Sequence, residues 1–71
     1  MRYWLKDLRK KSKYTMTDMA HSMGISRQYY SYIEAGERLP DLTFSVAIKL
    51  SKIFNISLDD IKIFEEKEPQ K

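Results

Sequence analysis

Arg27, Gln28, Ser31 and Tyr32 are the side chains of this sequence best suited to recognise a partner by chemistry. In a helix, residues spaced i, i+1, i+4 and i+5 share one face. The Arg27 guanidinium can form a bidentate pair with the O6 and N7 of guanine, and the Gln28 carboxamide suits adenine N6 and N7. Tyr32 can meet a thymine methyl or donate to a phosphate, and Ser31 adds a hydroxyl beside them. Tyr30 and Ile33 point to the opposite side and are expected in the core. Tyr29 lies between the two faces, where packing against a loop and contact with a ligand are both open.

The stretch Thr15 to Gly36 must position these groups, and it reads as two short helices around a tight turn. Thr15 supplies a hydroxyl acceptor for a free backbone N–H, and Asp18 three residues on completes a capping box. Met19, Ala20 and Met23 form an apolar face. Gly24 stands where the helix should stop, since glycine enters the left-handed region without a Cβ clash. Ser26 caps the next helix, with Ile25 and Tyr30 placed as a hydrophobic staple, and Gly36 ends it. Two short helices around a glycine turn, the second with a donor-rich outer face, is the layout of a DNA-reading helix-turn-helix. The N-terminal N–H groups of the first of these helices, with the hydroxyls of Thr15 and Thr17, form a natural phosphate anchor. Ser26 and Arg38 are further phosphate candidates.

The run Leu8-Arg9, Thr15 with Asp18, Ala20, Met23-Gly24-Ile25-Ser26-Arg27, Ile33-Glu34 and Gly36 resembles the lambdoid repressor and Cro family, also called XRE-type regulators. The match covers Trp4 to Phe64. The resemblance implies a compact lambda-repressor-like domain that binds operator DNA, with Arg27, Gln28 and Tyr32 on the base-contacting positions. It also implies that Arg9 and Glu34 pair, tying the first helix to the end of the reading helix and orienting it. Three positions depart from the family pattern. Met16 stands where glutamine often bonds phosphate and braces the reading helix. Lys13 stands near a usual glycine or asparagine, which predicts some backbone strain. Glu37 replaces a frequent lysine, in a loop about two residues longer than the common spacing.

Composition sets the outer bounds. Seventy-one residues make one domain with a marginal core, and 42% hydrophobic with 32% charged residues suits a folded one. With no cysteine and one histidine, disulfide frameworks and Cys-based metal sites are excluded and no cofactor is called for. His21 is expected as an exposed helix residue. No apolar run approaches the roughly 20 residues of a membrane span, and the charged N-terminus is unlike a secretory signal. A cytoplasmic, nucleoid-associated protein is expected. The net charge of +3 is uneven, with eight Lys/Arg against four Asp/Glu up to Pro40 and five against six beyond. The positive excess thus lies in the half that carries the reading helix, as a polyanion partner favours.

The fold class expected is all-α, with five helices and no strand. The first helix spans Arg2 to Lys11, with Trp4, Leu5 and Leu8 inward. Its basic end, Arg9 to Lys13, suits the negative end of the helix dipole or a phosphate. An apolar residue, a hydroxyl residue and a second apolar residue four positions on recur at Tyr14-Thr15, Ile25-Ser26, Leu42-Thr43 and Ile56-Ser57. Pro40 marks Glu37 to Leu42 as a loop. The fourth helix, Phe44 to Phe54, is expected to bury Phe44, Ala47, Leu50, Ser51 and Phe54. That leaves Val46, Ile48 and Ile53 on the surface or against another subunit. The last helix starts at Leu58 and turns Ile61 and Phe64 inward. The domain ends near residue 65, and residues 66–71 form a charged tail without an anchor.

The partner expected is double-stranded DNA, bound by a homodimer on a two-fold related operator, because one reading helix covers few base pairs. The dimer surface is expected on the last two helices, with Ile48, Ile53 and Ile63. No small-molecule effector is evident. An alternative is an antitoxin-type module that neutralises a protein partner and binds DNA secondarily. An enzyme is disfavoured by the lack of a nucleophile–base set, paired carboxylates or a phosphate-cradling loop.

Overall fold

Side-chain caps decide where most of the helices begin. In the computed structural model, which describes residues 1–36 and 42–68, the order is α1 (Tyr3–Lys11), α2 (Met16–Met23), α3 (Arg27–Ala35), α4 (Phe44–Phe54) and α5 (Leu58–Lys67). No strand occurs among the described residues. Thr15, Ser26, Thr43 and Ser57 each accept a backbone N–H three residues on, as the recurring pattern predicted. Such a cap contributes about 1 kcal/mol. Asp18 and Asp60 complete the two expected capping boxes.

The helix ends are equally local. Gly24, Gly36 and Asn55 take the left-handed conformation. So does Lys13, with φ of 62°, where α1 closes through Tyr14 N–H to Arg9 O and Lys13 N–H to Lys10 O. This is the strained position expected from the departure at Lys13, since a left-handed side chain costs roughly 1–2 kcal/mol.

The core gathers Trp4 and Leu5 of α1, Met19, Ala20 and Met23 of α2, Tyr30 and Ile33 of α3, Val46 and Leu50 of α4, and Ile61 of α5. α2 packs closely on α3, α4 on α5, and α1 and α2 close the body against α3 and α4. Ile25, Leu42 and Ile56, the apolar residues before three of the caps, pack on this core, and so does Phe64, as expected.

Three expectations are corrected. In α4 the register is rotated: Val46 is 5% exposed and in the core, whereas Phe44 is 72% exposed. Ile53 also packs on the core rather than facing outward. Apolar residues at 44, 46, 47, 48, 50, 53 and 54 surround most of the helix, so periodicity alone could not pick the buried side. At the chain's end, α5 runs to Lys67. Its charged residues do have anchors: Glu65 accepts from the Trp4 indole at 2.7 Å and Glu68 from the Trp4 backbone N–H at 3.2 Å. Finally, Arg2 lies just before α1 rather than in it, and it is fully buried.

The α4 register has a direct test. Val46→Ala should lower unfolding stability by about 1.5–3 kcal/mol, through lost burial and a residual cavity. Phe44→Ala should stay within about 0.5 kcal/mol in urea titrations at low protein concentration. The reverse ranking would refute the register.

Candidate nucleic-acid interface

The interface is built on the α2–α3 pair. α2 ends at Met23, Gly24 turns the chain with φ of 69°, and Ser26 caps α3 at once. The turn is closed by Ile25 N–H to Ala20 O at 3.0 Å and Gly24 N–H to His21 O at 3.2 Å. Met19, Ala20 and Met23 bury against Tyr30 and Ile33, so the opposite face of α3 is turned outward. Arg27 and Gln28 stand exposed in its first turn, and Ser31 and Tyr32 are half-exposed one turn on. The Gln28 carboxamide donates to the Tyr32 hydroxyl at 2.9 Å. That bond leaves the second amide hydrogen and the carbonyl oxygen of Gln28 for a ligand. No ion pair holds Arg27 among the described residues.

The far end of α3 is clamped. Glu34, 1% exposed, accepts from Arg9 Nε at 2.9 Å and Nη2 at 3.1 Å, a bidentate pair. The Tyr30 hydroxyl donates to the same carboxylate at 2.8 Å. Arg9 also donates from Nη1 to Tyr14 O, joining the α1–α2 connection to the network. The hydrogen bond to Glu34 holds the Arg9 guanidinium above its usual value, against the opposing effect of burial. Burial and then the Glu34 bond push the Tyr30 phenol far above its usual range. Both groups therefore keep their protons throughout the neutral range.

A helix-turn-helix family model matches residues 5–61 of the chain. The chain belongs to the XRE-type helix-turn-helix family. An uncharacterized HTH-type transcriptional regulator of Archaeoglobus fulgidus is 34% identical over 96% of this chain and 93% of its own. A second, from Methanocaldococcus jannaschii, is 37% identical over 96% of this chain and its full length. A third, from Bacillus subtilis, is 42% identical over 78% of this chain and 46% of its own. No solved structure matches the chain significantly.

In this helix-turn-helix the residues singled out from the sequence fall into two groups. Arg27, Gln28, Ser31 and Tyr32 come together on α3. Thr15, Thr17 and Ser26 are exposed at the starts of α2 and α3, while Arg38 lies outside the described residues, as does most of the Glu37–Leu42 loop. Tyr29 is half-buried and packs on the core. Met16 packs there too, so it braces the domain by apolar contact where the family's glutamine would use hydrogen bonds.

The start of α2 carries an acidic group in its cap. Its capping box ties up the N–H groups of Thr15 and Asp18 and sets an ionised carboxylate beside them. Asp18 is held below the usual carboxylate range, chiefly by the Thr15 backbone N–H and then by its hydroxyl. The N–H groups of Met16 and Thr17 are the first-turn donors outside the box. Because the folded value is depressed, this capping support is complete above the ordinary value of 3.8 and is lost as pH falls through the folded value.

Sequence reasoning missed Arg2, Trp4 and Glu65 as a unit. Arg2 donates its backbone N–H to Glu34 O at 2.8 Å, its Nη1 to Ile33 O, and its Nε to both oxygens of Glu65 at 3.0 Å. One signal was readable: a buried indole N–H needs an acceptor. Which acceptor it finds, sixty-one positions away, was not.

Glu34→Gln should cost about 3 kcal/mol in chemical denaturation, because it leaves the Arg9 charge buried without its counterion. Tyr30→Phe should cost about 1.5–3 kcal/mol, one hydrogen bond to a charged group. Equal and small effects would show that the network does not hold α3.

Proposed function

We propose that this protein is a sequence-specific transcriptional repressor that binds a two-fold symmetric operator as a homodimer. Its family sets the broader class, DNA-binding transcription regulation. The relatives' printed names, HTH-type transcriptional regulators, agree with it. The observation that carries the finer reading is the exposed pair Arg27–Gln28 at the start of a helix whose other end is fixed by a buried bidentate ion pair. In this reading α3 enters the major groove, Arg27 reads a guanine and Gln28, steadied by Tyr32, reads an adjacent adenine. Ser31 and Tyr32 complete the base-facing side. Thr15, Thr17, Ser26 and Arg38 take phosphates, and the Arg9–Glu34 pair orients the reader without touching bases.

The homodimer reading draws on α4 and α5. Phe44, Leu58 and Ile63 are exposed apolar side chains, and a groove of about 430 Å³ lined by Leu42, Phe44, Ala47, Leu58 and Ile61 runs between these helices. A two-fold axis beside the groove would let each copy seat its Phe44 on the other. Ile53 is withdrawn from this surface by its core packing. Repression follows in this reading where the bound dimer overlaps a promoter.

Selection of bound duplexes from a random pool should recover an inverted repeat, with affinity that falls steeply as salt rises. Arg27→Ala should relax preference at one base pair per half-site, by about 1–3 kcal/mol, whereas Arg38→Ala should weaken all sequences alike. Exchanged phenotypes would refute the assignment of the reading face.

A further inference from the structure

Arg2 has an unusual position for an arginine: it is fully buried and touches two helices that do not rank among the closely packed pairs. Toward α3, its backbone N–H and its guanidinium take up the carbonyls of Glu34 and Ile33. These are last-turn acceptors that α3 cannot satisfy itself, and a cation there also suits the helix dipole. Toward α5, its Nε meets both Glu65 oxygens at 3.0 Å. The same carboxylate accepts the Trp4 indole N–H, while Trp4 stacks on Phe64 with ring centroids 5.3 Å apart. Glu65 also lines the apolar groove between α4 and α5. One rigid guanidinium therefore joins the C-terminal end of the proposed reading helix to the edge of the proposed two-fold face. A buried charge held on both sides resists sliding, because leaving either partner strands it.

We propose that Arg2 and Glu65 form a positioning clamp that fixes the angle between α3 and α5, and through it the half-site spacing the dimer accepts. This rests on the homodimeric reading given above. Neither residue touches DNA in this scheme. Arg9–Glu34 holds α3 against α1, and Arg2–Glu65 holds it against α5. The geometry also separates two properties that a base-contacting residue would change together. Base preference within a half-site is set by Arg27 and Gln28, while tolerance of spacing is set by the angle between reader and partner.

The test is selection from a random duplex pool with wild-type protein, Glu65→Gln and Arg2→Lys, each checked for helicity at the working temperature. Lysine keeps the charge but cannot hold a carbonyl and a carboxylate on one planar fork. Wild-type protein should select one spacing, with a penalty of about tenfold or more for inserting one base pair. The folded variants should keep the same bases in each half-site while that penalty falls to about threefold or less. Unchanged spacing selectivity in a folded variant would overturn the clamp and leave the repressor reading intact. Loss of half-site preference together with spacing would also overturn it, as would failure of both variants to fold, since either makes the pair purely structural. No inverted repeat with wild-type protein would instead overturn the homodimer reading, and the clamp with it.

Discussion

A carboxylate buried to 1% exposure is the constraint on which the arrangement of this protein depends. Desolvating an isolated carboxylate costs several kcal/mol, so a carboxylate this deep needs partners. Arg9 offers two parallel N–H groups and Tyr30 a hydroxyl, so each oxygen has a partner. Satisfying one charge thereby fixes the last turn of α3 against α1 and the α1–α2 connection. No buried side-chain nitrogen or oxygen among the described residues lacks a partner. The exposed first turn of α3 inherits that rigidity along nine residues of helix. A rigid mount matters for recognition, because a bidentate contact loses its discrimination when the fork can tilt.

The two ends of α3 divide the work by chemistry. The C-terminal end is buried and fully paired, and the N-terminal end carries an exposed guanidinium and a carboxamide steadied by a tyrosine hydroxyl. Such a division suits a polyanionic groove, where the positive helix end and Arg27 act in the same sense. The start of α2 works the other way. Asp18 stabilises that helix by capping but places a negative charge near the proposed phosphate anchor, and methionine at 16 contributes packing rather than donors. In the proposed reading, that capping charge opposes a phosphate at the start of α2 and leaves more of the binding to α3.

What could be read from the sequence was what depends on near neighbours. Caps at Thr15, Ser26, Thr43 and Ser57, boxes at Asp18 and Asp60, and the stops at Gly24, Gly36 and Asn55 involve residues three or four apart. The outward face of α3 followed from Tyr30 and Ile33 alone, and the Arg9–Glu34 pairing came from the family pattern. The α4 register failed because apolar side chains surround most of that helix. It was decided by which of Phe44 and Val46 fits between α2 and α5, a matter of tertiary packing. The ties of Arg2, Trp4 and Glu65 span more than sixty positions, and charged residues near a chain's ends look solvated when read locally.

The proposed function places the Arg27–Gln28 end of α3 in a major groove. Guanine N7 lies only in that groove, so methylation protection on a selected binding site reads this placement out. Protected guanine N7 atoms should fall in two clusters, one per half-site and about one helical turn apart, and protection at the Arg27-dependent guanine should be lost in Arg27→Ala. Protection confined to minor-groove adenine N3, or N7 protection that survives removal of the Arg27 side chain, would contradict it.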